Sequence, residues 1–389
     1  MYVKKSVLVA TAIVLVIAVA VGTVMMVNPF GVFEFGDLIK FNMGVSSLKR
    51  YYYEEVEAEK IVDGALLGAS LSVDDPYTVY IDKNSAQSFW DSVESDDYTG
   101  VGLYISEAED GSSVEVISPL SGSPAEKAGI MTGDKIIEVD DETVKDHSLD
   151  EVATKMKGKE GTDVKLKIIK KSTGNTEEVT LTRAMIKRET VNFKMLKDRV
   201  GYIQITQFGV NTATEFIEAF NKLATDGMAS LVVDLRNNPG GYMDVAVKIA
   251  DCFLDEGEIV YTLNKYGQKR DYMATKGSSK APMMILTNGG SASASEVFVG
   301  AMKDYGLAKI VGERTFGKGV TQITRELPDG SIMKITESKY YTPNGVCIHD
   351  QGIEPDIEVE MSDEKYSRLS ELSFDEDIQL KRAVYELKK

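Results

Sequence analysis

The sequence predicts an α/β core preceded by a small β-rich domain, with a helical N-terminal region behind a single transmembrane helix. Three observations predict it. Residues 7–27 form an uncharged apolar run, residues 98–183 carry short β-like runs separated by glycine turns, and from residue 184 apolar strands alternate with helical segments. A chain of 389 residues is also longer than one hydrophobic core organises.

The apolar run at residues 7–27 is interrupted only by threonine and glycine. At about 1.5 Å per residue it spans the roughly 30 Å hydrocarbon core of a bilayer. Lys4 and Lys5 precede it, so the positive flank stays cytoplasmic and the rest of the chain is expected at the cell membrane on the extracytoplasmic side. Ala18 and Ala20 would suit a cleaved signal peptide, but the run continues through Val27, which favours a retained anchor at 1–27. Residues 28–97 read as helical, with Leu48, Tyr52, Val56, Ile61, Leu66 and Leu67 at roughly helical spacing among acidic residues. This is either an arm for self-association, giving a homo-oligomer, or a collar packed on the rest.

Within residues 98–183 the β-like runs fall at 114–117, 135–139 and 164–169. Between the first two, residues 123–130 (SPAEKAGI) read as a short helix with Pro124 in its first turn and Gly129 at its end. Gly133-Asp134 turns the chain into the next strand. Past residue 183 the pattern becomes strand 200–205, helix 212–224, then strand 231–235 ending at Arg236-Asn237-Asn238-Pro239-Gly240-Gly241, with a helix from about 243 to 254. The unit repeats: strand 283–287, turn Asn288-Gly289-Gly290, helix 293–303, strand 309–312. The core is assigned to 184–365 and a charged helical tail to 366–389. Strand-end loops that lead into helices are where α/β proteins commonly place chemistry.

Composition removes several classes of function. The formal net charge of −17 repels phosphate backbones, so no nucleic acid partner is expected. The two cysteines, Cys252 and Cys347, exclude a disulfide framework and a CxxC site, and are either buried small hydrophobes or one bridge. The two histidines, His147 and His349, leave few places for a histidine base or a metal, and no cofactor or metal is expected.

The chemistry concentrates in Gly290-Ser291-Ala292-Ser293-Ala294-Ser295-Glu296, between an apolar strand and a helix. Small residues on both sides let a hydroxyl stand exposed on a tight strand-to-helix turn, the logic of a nucleophile elbow without its GxSxG form. The helix N-terminus adds unpaired N–H groups and a positive dipole end, both suited to a developing oxyanion. Ser293 and Glu296 also satisfy the S-x-x-E capping box, in which the serine is only a cap. Lys318 lies between Gly317 and Gly319, where the backbone can fold closely around it. Desolvation can make such an amine a general base, whereas a solvated loop lysine stays protonated.

Residues 98–183 resemble a PDZ domain, with Gly100-Val101-Gly102-Leu103 standing where that family binds a peptide carboxylate and SPAEKAGI and GDKIIEVD following in order. In such domains a peptide C-terminus adds as a strand. The whole chain after the anchor resembles the carboxy-terminal processing peptidases, or tail-specific proteases. NGGSASASE, TFGKGVTQ, DLRNNPGG, YYTPNG and GIEPDIEV carry the resemblance. It implies a membrane-anchored serine endopeptidase with Ser293 as nucleophile, Lys318 as general base and Gln322 orienting the lysine. It further implies an oxyanion hole from the N–H of Gly240 or Gly241 and that of Ala294, and substrates recognised through their C-termini by the PDZ domain. Asp234 and Arg236 would be structural. Val346 and Cys347 depart from the more polar residues expected in the YYTPxG motif, which bears on local substrate contacts. Two rival readings are a catalytically silent PDZ adaptor and a lipid or ester hydrolase with His349 and Asp350 completing a triad with serine.

Overall fold

The computed structural model describes residues 34–389 apart from 95–97, 109–112, 121–122, 146, 148, 187–188 and 276–280. Among the described residues no helix is long and apolar enough to cross a membrane. Even the 17-residue helix Phe35–Tyr51 carries Asp37, Lys40, Lys49 and Arg50, charges a lipid interior would penalise. The expected fold class is therefore corrected to a mixed α/β fold with a PDZ-type domain, with no transmembrane helix among the described residues. The run at 7–27 that prompted the membrane expectation lies outside the described residues.

The chain divides into two compact units, 1–82 and 83–389. The described part of the first comprises helices Phe35–Tyr51 and Ala58–Leu71 and the short strand Val79–Ile81. Phe35–Tyr51 buries none of its residues and leaves Phe35, Phe41, Met43 and Tyr51 exposed.

The second unit opens with helix Lys83–Glu94 and then builds an antiparallel β-domain. Strands Leu103–Glu107, Val114–Pro119, Lys135–Val139, Asp163–Ile169 and Thr176–Thr182 pair in that order, so Leu103–Glu107 is an edge strand. Period-two burial along Asp163–Ile169 puts Val164, Leu166 and Ile168 inside and the intervening lysines outside. Those three join Val116, Ala125, Ile130 and Ile136 in one core.

The larger domain rests on a six-stranded sheet in the order Val191–Met195, Val200–Ile205, Ser230–Asp234, Met283–Thr287, Ala308–Gly312, Ile357–Glu358. The first pair is antiparallel and the rest parallel. Strands Ser230–Asp234 and Met283–Thr287 are buried along their whole length, as central parallel strands covered on both faces must be. On one face Leu231, Val233 and Ile285 pack with Phe216, Phe253 and Phe298. On the other, Val232, Met284 and Leu286 pack with Leu380, Ala383 and Val384. The segment expected as a charged tail thus supplies helix Ile378–Glu386 to the second face of the sheet. A second, antiparallel sheet joins strands Val320–Glu326, Ile332–Tyr341, Gly257–Asn264 and Lys269–Ala274 in that order.

Candidate active site

Adjacent parallel strands Ser230–Asp234 and Met283–Thr287 end side by side, so the loops that follow them meet. Asparagine side chains join these loops. Asn288 Oδ1 accepts the Asn237 N–H (2.8 Å) and its Nδ2 donates to Asn237 Oδ1 (2.7 Å). The Asn238 carbonyl accepts the Ala292 N–H (3.0 Å) and the Ser295 hydroxyl (3.0 Å). Beneath them Arg236 is buried between Asp234 and Asp377 and bonded to both, which gives the residues expected as structural that role.

The three serines of the turn differ sharply in environment. Ser291 is buried and donates to the Leu235 carbonyl (2.8 Å), and Ser295 is likewise buried on Asn238. Ser293 is only half-buried and precedes helix Ala294–Asp304 with φ 57° and ψ −114°. A side chain rarely adopts positive φ, at a cost of about 1–3 kcal/mol, so surrounding contacts must hold it there. The Ser293 N–H donates to Glu296 Oε2 (2.8 Å), and the Glu296 N–H returns to the Ser293 carbonyl (2.9 Å). The pair keeps the relation of a capping box, with the Glu296 N–H closest to hydrogen-bond geometry at the Ser293 carbonyl.

Gly240 packs directly on this turn. A Cβ there would lie 2.7 Å from Ser293 Cβ and 2.9 Å from the Ala294 nitrogen, an approach only glycine permits. Of the two glycine N–H groups expected near an oxyanion, that of Gly240 is already given to Asn238 Oδ1 (2.9 Å). The Gly241 and Ala294 N–H groups have no partner among the described residues.

Lys318 is half-buried in the loop before strand Val320–Glu326. Its N–H donates to Glu296 Oε2 (2.8 Å), the oxygen that holds the Ser293 N–H. Glu296 Oε1 takes the Gly317 N–H (2.7 Å) and the Thr315 hydroxyl (2.6 Å). Glu296 is wholly buried; that burial raises its pKa from the ordinary value, opposed by the hydrogen bonds from Thr315, Gly317, Ser293 and Lys318. On the other side, the buried Tyr340 hydroxyl meets the Ser293 carbonyl (2.9 Å) and the Lys318 carbonyl. Glu296 and Tyr340 thus bridge two loops far apart in sequence.

A cleft of about 350 Å³ opens beside Ser293, lined among others by Gly241, Ala294, Val297, Gln322 and Tyr340. Lys318 and Gly240 do not line it. Gln322 directs its amide to the Val320 carbonyl (3.4 Å) at a bulge in the strand pairing. His349 lacks the geometry of a triad base, since its buried Nδ1 has no hydrogen-bond partner and Nε2 stands 3.6 Å from the exposed Asp350. Both cysteines are free.

The GVGL loop is a second tight turn. The Ala125 N–H bonds the Val101 carbonyl (3.0 Å), the Leu120 N–H the Gly102 carbonyl (2.9 Å), and Ser123 Oγ approaches the latter at 3.2 Å. The Val101 and Gly102 N–H groups remain without a partner among the described residues, next to the free edge of Leu103–Glu107. Gly100 is buried and pairs with Ala184.

Sequence reasoning missed Glu296 and Tyr340 as parts of this site. S-x-x-E marked Glu296 only as a cap, and a wholly buried acid was the signal that it did more. Tyr340 carried no signal beyond lying in YYTPNG.

Comparison with known proteins finds three family models along the chain. Residues 199–359 match peptidase family S41, residues 92–169 match the PDZ domain, and residues 28–85 match the N-terminal domain of the activating protease CtpB. The carboxy-terminal processing protease CtpA of Bacillus subtilis is 37% identical over 86% of this chain and 71% of its own length. A probable CtpA-like serine protease of Staphylococcus aureus is 41% identical over 82% of this chain, which spans 64% of that relative's length. Among solved structures, the photosystem II D1 C-terminal processing protease is 33% identical, covers 82% of this chain and 86% of its own, and superposes with a TM-score of 0.52. A putative S41 protease from Bacteroides fragilis, 17% identical over 87% of this chain and 91% of its own, shares the fold with a TM-score of 0.53.

Proposed function

Since this chain belongs to peptidase family S41, among the carboxy-terminal processing serine peptidases that carry a PDZ domain, we propose that it is a serine endopeptidase acting through Ser293 and Lys318. The observation that carries the reading is the pair of N–H groups without a partner among the described residues, Gly241 and Ala294, beside a half-buried serine held at positive φ.

The Ser293 hydroxyl adds to the scissile carbonyl carbon while its proton passes to the neutral Lys318 amine. The carbonyl oxygen becomes an oxyanion and takes the Gly241 and Ala294 N–H groups, preorganised donors that cost no reorganisation during reaction. Collapse breaks the C–N bond, and the leaving amine receives the proton from Lys318. Water then hydrolyses the Ser293 ester with Lys318 again as base, regenerating both groups. Gln322, at the cleft wall with its amide nitrogen given to the Val320 carbonyl, orients the lysine through its side-chain oxygen in this reading. A substrate C-terminus adds beside strand Leu103–Glu107, and its carboxylate is received by the N–H groups of Val101, Gly102 and Leu103 at the turn that begins with Gly100.

Cleavage of a peptide by matched variants tests this. Ser293→Ala is expected to lower turnover by at least about 10³-fold. Ser291→Ala loses two buried hydrogen bonds, to the Leu235 carbonyl and from the Asn288 N–H, and Ser295→Ala loses one. Each bond lost costs about 1–3 kcal/mol of stability and little turnover at a temperature where both stay folded. Full turnover by Ser293→Ala, or equal loss in all three, would overturn the assignment and return the site to an adaptor with a helix cap.

A further inference from the structure

Resting on that reading, we propose that Tyr340 is a positioning residue for the reaction, one of two jaws that set Ser293 and Lys318 against each other. The two residues come from different loops, one before helix Ala294–Asp304 and one before strand Val320–Glu326. Neither loop fixes the other by backbone pairing between Ser293 and Lys318. One backbone hydrogen bond, from the Phe316 N–H to the Ser291 carbonyl (2.9 Å), joins the loops two residues away, and at Ser293 and Lys318 themselves the ties are made by side chains.

The first jaw is Glu296, whose single oxygen Oε2 collects the N–H groups of both residues, at 2.8 Å each. The second is the Tyr340 hydroxyl, which meets the carbonyl oxygens of both. The two residues are therefore held at their N–H by one group and at their carbonyl by the other, so that the peptide units on both sides of each are tied. A phenol has one proton, so both carbonyls share it and both loops depend on its position.

Tyr340 is well built for that task. It is 2% exposed and lies in strand Ile332–Tyr341. Its own N–H bonds the Gly319 carbonyl (3.0 Å), anchoring the strand to the lysine loop from a second point. The Tyr340 hydroxyl adds to the Glu296 and Val297 N–H groups in holding the carbonyl of Ser293, whose backbone sits at φ 57°. Loss of the hydroxyl leaves the Ser293 carbonyl to the Glu296 and Val297 N–H groups and removes the donor that it shares with the Lys318 carbonyl, which loosens the tie between the two loops. Displacements of about 1 Å at a reacting centre cost on the order of 10²-fold in rate.

Tyr340→Phe keeps the ring that lines the cleft and removes only the hydroxyl. The test measures kcat and KM on a peptide, and separately the rate at which a small fluorophosphonate labels Ser293, because that reagent needs no extended cleft. The expected result is a fall of about 10–100-fold in kcat and in labelling rate, with KM within about twofold. Tyr341→Phe, the next residue, whose ring stacks on Tyr261, is expected to match the wild type. Should Tyr340→Phe not fold, Glu296→Gln cuts the opposite jaw and must lower kcat and labelling in the same proportion. Wild-type kcat and labelling in a folded Tyr340→Phe, or in Glu296→Gln where that stands in for it, with Ser293→Ala inert, overturns the two-jaw account and leaves the serine assignment intact. Labelling of Ser293→Ala at the wild-type rate would instead remove the serine assignment itself.

Discussion

The serine turn and the GVGL turn use one backbone device for different ends. Each leaves two N–H groups without a partner, Gly241 and Ala294 in the first, Val101 and Gly102 in the second. Each also depends on a glycine pressed against a serine. A Cβ on Gly240 would lie 2.7 Å from Ser293 Cβ, and one on Gly102 would lie 2.3 Å from Ser123 Cβ. They part in what surrounds them. The GVGL turn is held by backbone hydrogen bonds and the Ser123 side chain, whereas the serine turn is held by buried Glu296, Tyr340, Asn238 and Asn288. A donor pair alone suffices to receive a carboxylate that arrives already charged. Catalysis needs the donors, a strained hydroxyl and a base in fixed relation, and in the proposed mechanism the buried polar clamp would supply that relation.

The same insult in both turns should break the comparison cleanly. Gly241→Ala would put a Cβ 2.2 Å from the Phe208 carbonyl oxygen, so the loop must shift and its N–H leave the oxyanion position. Turnover is expected to fall by about 10²–10³-fold, the range for losing one oxyanion donor, with the PDZ-type turn unaffected. Gly102→Ala is the mirror experiment. Its effect is expected on peptide binding, a loss of about tenfold in affinity for peptides ending in a free carboxylate and none for amidated ones, with kcat on a short amidated substrate unchanged. Calorimetry with matched peptides and steady-state kinetics read the two effects separately. If either substitution moved both, the turns would not be the independent devices described here.

The smallest expected effect is one of pH. Burial raises the Glu296 pKa in the folded chain above its ordinary 4.5, so ionising it costs the native state. Its stabilising contribution is fully present below 4.5 and is lost as pH rises through the raised native value. Activity should move the other way, because a protonated Glu296 loses acceptor capacity for the Ser293 and Lys318 N–H groups. Thermal melts of wild type and Glu296→Gln in mildly acid buffers should differ in slope, each kcal/mol appearing as about 2–4 °C in Tm. Parallel slopes would show that Glu296 does not titrate in that window.

Much of the fold was legible because local pattern and burial agree. The apolar stretches at 231–235 and 283–287 are central strands, and the turns after them are the ones where the sequence placed its candidate chemistry. What escaped reading depends on partners distant in sequence. Glu296 reads as a cap because three of its donors, Thr315, Gly317 and Lys318, lie in another loop. The choice between Gly240 and Gly241 turns on the Asn238 side chain, which accepts one N–H and leaves the other. Strands Gly257–Asn264 and Ile332–Tyr341 carry charged and half-buried residues without strong alternation, so their sheet gave little signal. The C-terminal helix looked solvated by charge, yet Leu380, Ala383 and Val384 are buried against the sheet. No helix among the described residues has the length and apolarity expected of a membrane span, so the described structure does not support that element of the predicted architecture.

The most direct test of the Ser293–Lys318 pairing is mass spectrometry of the protein after brief exposure to a fluorophosphonate, comparing wild type with Lys318→Arg. Arginine keeps its charge at every accessible pH and cannot take the serine proton. The account predicts a single adduct on Ser293 in the wild type and at least about 10²-fold slower labelling in Lys318→Arg, with the variant still folded. An adduct on another serine, or equal labelling of Ser293 in both proteins, would contradict it.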